Sequence, residues 1–158
     1  MIKFNVIAGF VVLSGIVTAC SDGGSEPRSE EMAQPSPVGP PAASDVTTLD
    51  GTTFASFSGN AAAGKAVFAQ CSMCHVTYAG VNKTGPTLNG IIGRKAGSVP
   101  GFAYSAANTG SGITWTKEKL FQYLEKPYRV LPQSRMIFAG LPDAQKRADL
   151  IAYLASPN

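Results

Sequence analysis

The chain has 158 residues, 44% of them hydrophobic and 15% charged, with a formal net charge of +3. That length allows one domain with an appendage and excludes two independent cores. The charge is divided along the chain: Asp22, Glu26, Arg28, Glu30, Glu31, Asp45 and Asp50 give residues 21–58 a balance of −5, whereas residues 59–158 carry eleven Lys and Arg against four Asp and Glu, or +7. A basic domain of this kind can take a nucleic acid, an anionic membrane or an acidic protein as partner, although charge alone favours a plain solvated surface.

In chain order the first element is an export signal. Lys3 precedes an apolar run from Val6 to Val17, too short for a spanning helix of about 20 residues but suited to the centre of a signal peptide. Export removes nucleic acid from the partners. "VTAC" (17–20) resembles the lipobox of bacterial lipoproteins, which makes residues 1–19 a lipoprotein signal peptide and Cys20 the lipidated first residue of the mature protein. An uncleaved anchor and ordinary cleavage are the alternatives. Lipid on Cys20 also explains the odd number of cysteines, three. The lipidated Cys and the Pro-, Ser- and Ala-rich acidic stretch over 20–58 are expected to form a disordered linker, in which Pro27, Pro35, Pro37, Pro40 and Pro41 oppose helix. Its reach as a flexible coil is roughly 35 Å. Its charge, opposite to that of the domain, allows it to cover the domain's positive face; the simpler expectation is an inert spacer.

The globular domain is expected over 59–158, beginning with a helix from about Asn60 to Cys74 that has Val67 and Phe68 on one face. "FAQCSMCHVTY" (68–78) then gathers Cys71, Cys74 and the only histidine, His75. Zinc would need a fourth ligand, and only a carboxylate is left to supply it. A redox dithiol belongs in an α/β fold, and strand signals here are weak. Covalent c-type haem attachment needs this spacing: two thiols add to the haem vinyl groups and the imidazole, fixed one residue on, reaches iron. Export fits, since such haems are attached outside the cytoplasm.

With one histidine present, the second axial ligand of a haem is sought among the methionines. Met1 leaves with the signal, Met32 lies in the linker, and Met73 lies inside the attachment loop, which leaves Met136 in "SRMIFAG". Core packing is the other use of a methionine there. Glycines and prolines between 80 and 112 predict long loops. "TKEKLFQYLEK" (116–126) predicts a helix stopped by Pro127. "DAQKRADLIAYLA" (143–155) predicts the last helix, with Leu150, Ile151 and Leu154 on its apolar face.

The order and spacing of "GKAVFAQCSMCH", "KTGPTLNGIIGRKAG", "PGFAYSAANTGSGITW", "YLEKP" and "MIFAGLPDAQKRADLIAYL" resemble the class I cytochromes c, of mitochondrial-like or cytochrome c2 type, in a membrane-anchored bacterial lipoprotein form. The resemblance implies an all-α class I cytochrome c fold, with helices and long loops wrapped around one covalently attached haem c. The first and last helices would cross at Gly64 and Phe68 against Leu150 and Tyr153. It implies a Pro86 carbonyl on the His75 ring, and Arg94, Tyr104, Ser105 and Trp115 as contacts of the haem propionates. Asn108, Tyr123 and Ser134 would form a polar network beside Met136, and Phe138 would cover the haem edge.

The expected function is a monomeric electron carrier rather than an enzyme. It would pass one electron from a quinol-oxidising cytochrome complex (quinol–cytochrome c reductase) to cytochrome c oxidase or a similar acceptor, from the periplasmic side of the cytoplasmic membrane. A fixed oxidase subunit and a ligand-binding haem with displaceable Met136 are the competing readings. The family's ring of docking lysines is thinned here: Lys83 and Arg135 are basic, but Tyr128, Pro142 and Asp143 stand where mitochondrial members are basic.

Overall fold

The computed structural model describes residues 39–157. The expected signal peptide, Cys20, Met32 and the linker as far as residue 38 lie outside the described residues. Five helices carry the fold: α1 (Ala61–Phe68), α2 (Ala106–Thr109), α3 (Lys117–Glu125), α4 (Pro127–Val130) and α5 (Ala144–Ala155), after a 3-10 turn at Phe54–Ser56. The only β pairing among the described residues is one isolated bridge between Lys95 and Thr114. None of the helices among the described residues is long and apolar enough to cross a membrane.

Local chemistry sets each boundary. The Asn60 side chain accepts from Ala63 N at 3.0 Å, Thr116 from Lys119 N at 3.1 Å and Asp143 from Lys146 N at 3.1 Å, so each long helix starts at a side-chain cap. Proline forces the residue before it out of helical geometry, and Lys126 is non-helical (φ −152°, ψ 84°). Pro127 then opens α4, where its missing N–H costs nothing. The first helix ends earlier than the sequence predicts. After Phe68 the hydrogen bonds alternate between three- and four-residue spans, from Cys71 N to Phe68 O (2.8 Å) and from His75 N to Cys71 O (2.9 Å), so residues 69–75 continue as a turn.

The two end helices cross where α1 offers a glycine. A Cβ on Gly64 would run into the Asp149 carbonyl, and beside it Phe68 and Tyr153 stack with centroids 5.3 Å apart. Leu150, Ile151 and Leu154 of α5 are buried with Leu120, Phe121 and Leu124 of α3, and this apolar layer backs the functional cavity.

One expectation is corrected. The linker does not run free to residue 58, because residues 42–57 pack along α3 and α5. Lys119, 1% exposed, donates to Ala42 O (3.0 Å), Asp45 O (2.7 Å) and Gln122 Oε1 (2.7 Å). Gln122 donates to Thr47 O at 2.9 Å, and the Glu125 carboxylate accepts from Leu49 N at 2.7 Å and Asp50 N at 3.0 Å. Phe54 and Phe57 seat their rings 5.9 and 5.7 Å from Phe121. The physical reason is reciprocal satisfaction: α3 carries buried polar groups that need partners, and the strap supplies main-chain amides and carbonyls. Prolines and low hydrophobicity exclude helix over this stretch, but they do not exclude docking of an extended chain.

Candidate functional site

The turn after α1 brings Cys71, Cys74 and His75 to the wall of a cavity of about 490 Å3. Cys71 is half-buried and Cys74 exposed. Burial, reinforced by Cys74, pushes the Cys71 thiol up to about 11. A dithiol built for exchange has the opposite shift, towards thiolate. Among the described residues no group of three or more His, Cys, Asp and Glu side chains converges as a protein-only metal site requires.

His75 is fixed in one tautomer. Its Nδ1 lies 2.7 Å from the Pro86 carbonyl oxygen, which can only accept, so Nδ1 carries the proton and Nε2 keeps a lone pair. Burial lowers the imidazole pKa, opposed by the Pro86 bond, and keeps the ring neutral. Gly85 lies flat against the ring, and a Cβ there would collide with it.

Met136 lines the same cavity from the loop between α4 and α5. The Tyr123 hydroxyl donates towards its Sδ at 3.7 Å, and Met136 N donates to Ser134 Oγ at 3.3 Å. Burial pushes the Tyr123 hydroxyl up to about 12, against a hydrogen bond with Ser134. Arg94 donates to Asn89 O (2.7 Å) and Thr87 O (2.8 Å), which aims its guanidinium along the wall; burial lowers its pKa, opposed by Tyr104. Tyr104 packs edge-on to Phe102 with centroids 4.8 Å apart. Trp115 is buried, 4.8 Å from the Tyr123 ring.

All thirteen residues named from the sequence as cofactor contacts line this one cavity: Cys71, Cys74, His75, Pro86, Arg94, Tyr104, Ser105, Asn108, Trp115, Tyr123, Ser134, Met136 and Phe138. Asn108 differs in its partner: its amide donates to Ser105 Oγ at 3.4 Å, not to Tyr123 or Ser134. The sequence places Leu150 and Leu154 on a buried helix face but does not assign the apolar walls to the site. Leu120 and Leu124, and Leu150 and Leu154, line the cavity as pairs four apart on α3 and α5, a spacing that marks a buried helix face. Leu88, Ile91 and Phe102 complete those walls from the long loop, where no period announces them.

The donor set fits an iron tetrapyrrole. It offers two adjacent thiols, an imidazole nitrogen held ready, a thioether, cationic and hydroxyl donors for carboxylates, and apolar walls. The family model for cytochrome c matches residues 61–157. The chain belongs to the cytochrome c family. Cytochrome c type-1 of Ascaris suum is 55% identical over 97 residues, covering 61% of this chain and 87% of that one. Cytochrome c2 of Blastochloris viridis is 51% identical over 100 residues, covering 63% and 79%. The solved structure of cytochrome cH from Methylobacterium extorquens superposes with a TM-score of 0.60 at 43% identity, covering 62% of this chain and 99% of that one. Membership makes this a class I c-type cytochrome, mostly helical, that carries one covalently attached haem c. It is an electron-transfer protein rather than an enzyme, a redox partner of respiratory complexes in general. The strap over 42–57 lies outside the matched residues.

Proposed function

We propose that the protein is a lipid-tethered carrier in which Cys71 and Cys74 attach the haem while His75 and Met136 ligate its iron. The tether is lipid on Cys20, at the periplasmic side of the cytoplasmic membrane. Electrons come from a quinol-oxidising cytochrome complex and go to a terminal oxidase or similar acceptor. Haem c, when bound, supplies reversible one-electron Fe(III)/Fe(II) chemistry.

The chain's own residues hold that chemistry in place. The Pro86 carbonyl orients the His75 ring and raises its basicity as a ligand. Tyr123 steadies the Met136 thioether by donating to it. Arg94, Tyr104, Ser105 and Trp115 are the donors for the propionates, whose charge near an apolar wall needs such partners. The leucine-lined walls exclude water and so favour the less charged, reduced state. Ile137 is 95% exposed beside Met136, and Met73 82% exposed within the attachment loop. With Arg135 two residues before Ile137, and Lys83 donating from its Nζ to Ser72 O at 2.6 Å beside Met73, they give a partner's acidic surface both an apolar contact and cations.

The observation that carries this reading is the pairing, in one cavity, of a tautomer-fixed His75 with a Met136 that receives a hydrogen bond. Carbon monoxide tests it. The wild type should bind it poorly when reduced, and Met136→Ala should bind it readily. Equal binding by the two proteins would remove Met136 from the iron and favour a ligand-binding haem.

A further inference from the structure

We propose that the strap formed by residues 42–57 locks the exit of the Met136 loop through Arg147 and Glu125, and thereby sets how readily Met136 is exchanged for another ligand; this rests on the reading of Met136 as an iron ligand.

The loop from Leu131 to Asp143 contains no helix. After Ser134 N to Leu131 O (3.2 Å), its next backbone-to-backbone hydrogen bond among the described residues is Leu141 N to Leu124 O (2.7 Å). Between these two backbone anchors Met136 is steadied by bonds that involve side chains, from Arg135 Nη1 to Ala103 O (3.4 Å), Met136 N to Ser134 Oγ (3.3 Å) and Tyr123 Oη to Met136 Sδ (3.7 Å). The second anchor has two further supports, a backbone contact of Gly140 and the Arg147 guanidinium. Gly140, at φ +111°, lies flat on the main chain of Glu125, where any Cβ would strike the Glu125 carbonyl. Arg147 Nη1 donates to Leu141 O and Pro142 O, each at 2.9 Å.

Both supports are completed by the strap. The other nitrogen of Arg147, Nη2, donates to Asp50 Oδ2 at 2.6 Å and Thr52 Oγ1 at 3.1 Å. Its guanidinium lies 4.4 Å over the Phe121 ring, which Phe54 and Phe57 flank. Arg147 is fully buried, and among the described residues that carboxylate is the one that pairs with it. The Glu125 carboxylate accepts Leu49 N and Asp50 N from the same strap turn. One segment outside the matched domain thus finishes both supports of the loop's far end. Without Asp50 the buried guanidinium loses its counter-charge and must recruit water or turn away, and its grip on Leu141 and Pro142 goes with it. A loop held at one end only spends more time away from the iron. A ligand that competes with Met136 then binds with higher apparent affinity, in proportion to that open fraction. Arg147 and Asp50 are positioning residues in this scheme.

The test uses the full, haem-loaded ferric protein, with imidazole as the competing ligand and the sulfur-to-iron charge-transfer absorption as readout. Wild type, Asp50→Ala, the milder Asp50→Asn and Lys119→Met are compared. Lys119 fastens the other end of the strap, at Ala42 and Asp45, without touching the loop. Both Asp50 variants should bind imidazole at least about fivefold more tightly, the low end of ordinary coupling between sites. Lys119→Met should lower the unfolding midpoint but leave imidazole affinity at the wild-type value. Unchanged affinity in both Asp50 variants overturns the proposal. So does an equal gain in Lys119→Met, which would mean general loosening. A wild type that lacks the charge-transfer band and matches Met136→Ala overturns the ligation reading itself, a separate result.

Discussion

Gly85 and His75 illustrate how single residues set the chemistry. The glycine has no room for a Cβ because the imidazole fills that space. Gly85→Ala should tilt the ring off its Pro86 hydrogen bond and sharply reduce the yield of haem-loaded protein. A haem-stained denaturing gel, scaled to total chain, measures this. Full loading in the variant would show that the contact relaxes without consequence. Asp50 offers a second case. Burial raises its carboxyl pKa, but the hydrogen bonds from Arg147 and Thr52 outweigh that and hold it well below the usual carboxylate range. A depressed carboxylate stabilises the fold above its unfolded pKa of about 3.9, and the stabilisation is lost as pH falls towards the folded value. Asp50→Asn should therefore unfold at a lower temperature than the wild type at pH 7. That gap should narrow steadily below about pH 4. A gap independent of pH would show that the Asp50 charge contributes nothing. Cys71, Cys74 and His75 were legible in the sequence as a group by their spacing, and Met136 by exclusion of the other methionines, and the structure gathers all four on one cavity. Arg147 was not. It reads as one more surface cation on a basic helix, and only tertiary structure reveals that it is buried under Asp50.

At the scale of elements, the crossing of α1 and α5 depends on the missing side chain of Gly64, which faces the Asp149 and Tyr153 main chain and Cβ. Backbone cannot move aside as a flexible side chain can. Gly64→Val should cost at least about 1–3 kcal/mol, the usual range for overpacking, seen as a lower midpoint in urea with no change in slope. A midpoint within error of wild type would mean that the helices slide apart freely. Helices α3 and α5 were legible from apolar period and caps, to within a residue at their starts. The first helix was read too long, because the attachment turn keeps near-helical hydrogen bonds after the helix has ended. The long loops were legible as loops and no more: Leu88, Ile91 and Phe102 reach the cavity from irregular chain, where no sequence period exists to count.

For the molecule as a whole, the strap changes how the N-terminal region is understood. Composition marks residues 20–58 as a solvated linker, yet 42–57 are part of the folded body. The signal available was small: Phe54 and Phe57, two aromatic residues three apart in a stretch whose other large apolar residues are only Val46 and Leu49. Most of the docking uses main-chain amides and carbonyls, which every sequence has and none advertises. Asp50 is thereby paired with Arg147 at 2.6 Å, and the Asp45 carboxylate accepts from Thr47 N within the strap at 2.7 Å, so a general shielding of the domain by linker charge draws mainly on the residues before 39. Cys20→Ala should move the protein from membranes to the soluble fraction while leaving its haem content unchanged, as fractionation followed by haem staining would record. Retention in membranes with Met1 intact would point instead to an uncleaved anchor. The central claim is a single haem closed by His75 and Met136 and cycling one electron. Spectroelectrochemical titration of the purified holoprotein tests it most directly. One Nernst wave of about 59 mV per decade is expected, with low-spin spectra at both ends of the titration; a second wave, or a high-spin spectrum in either state, would contradict this reading.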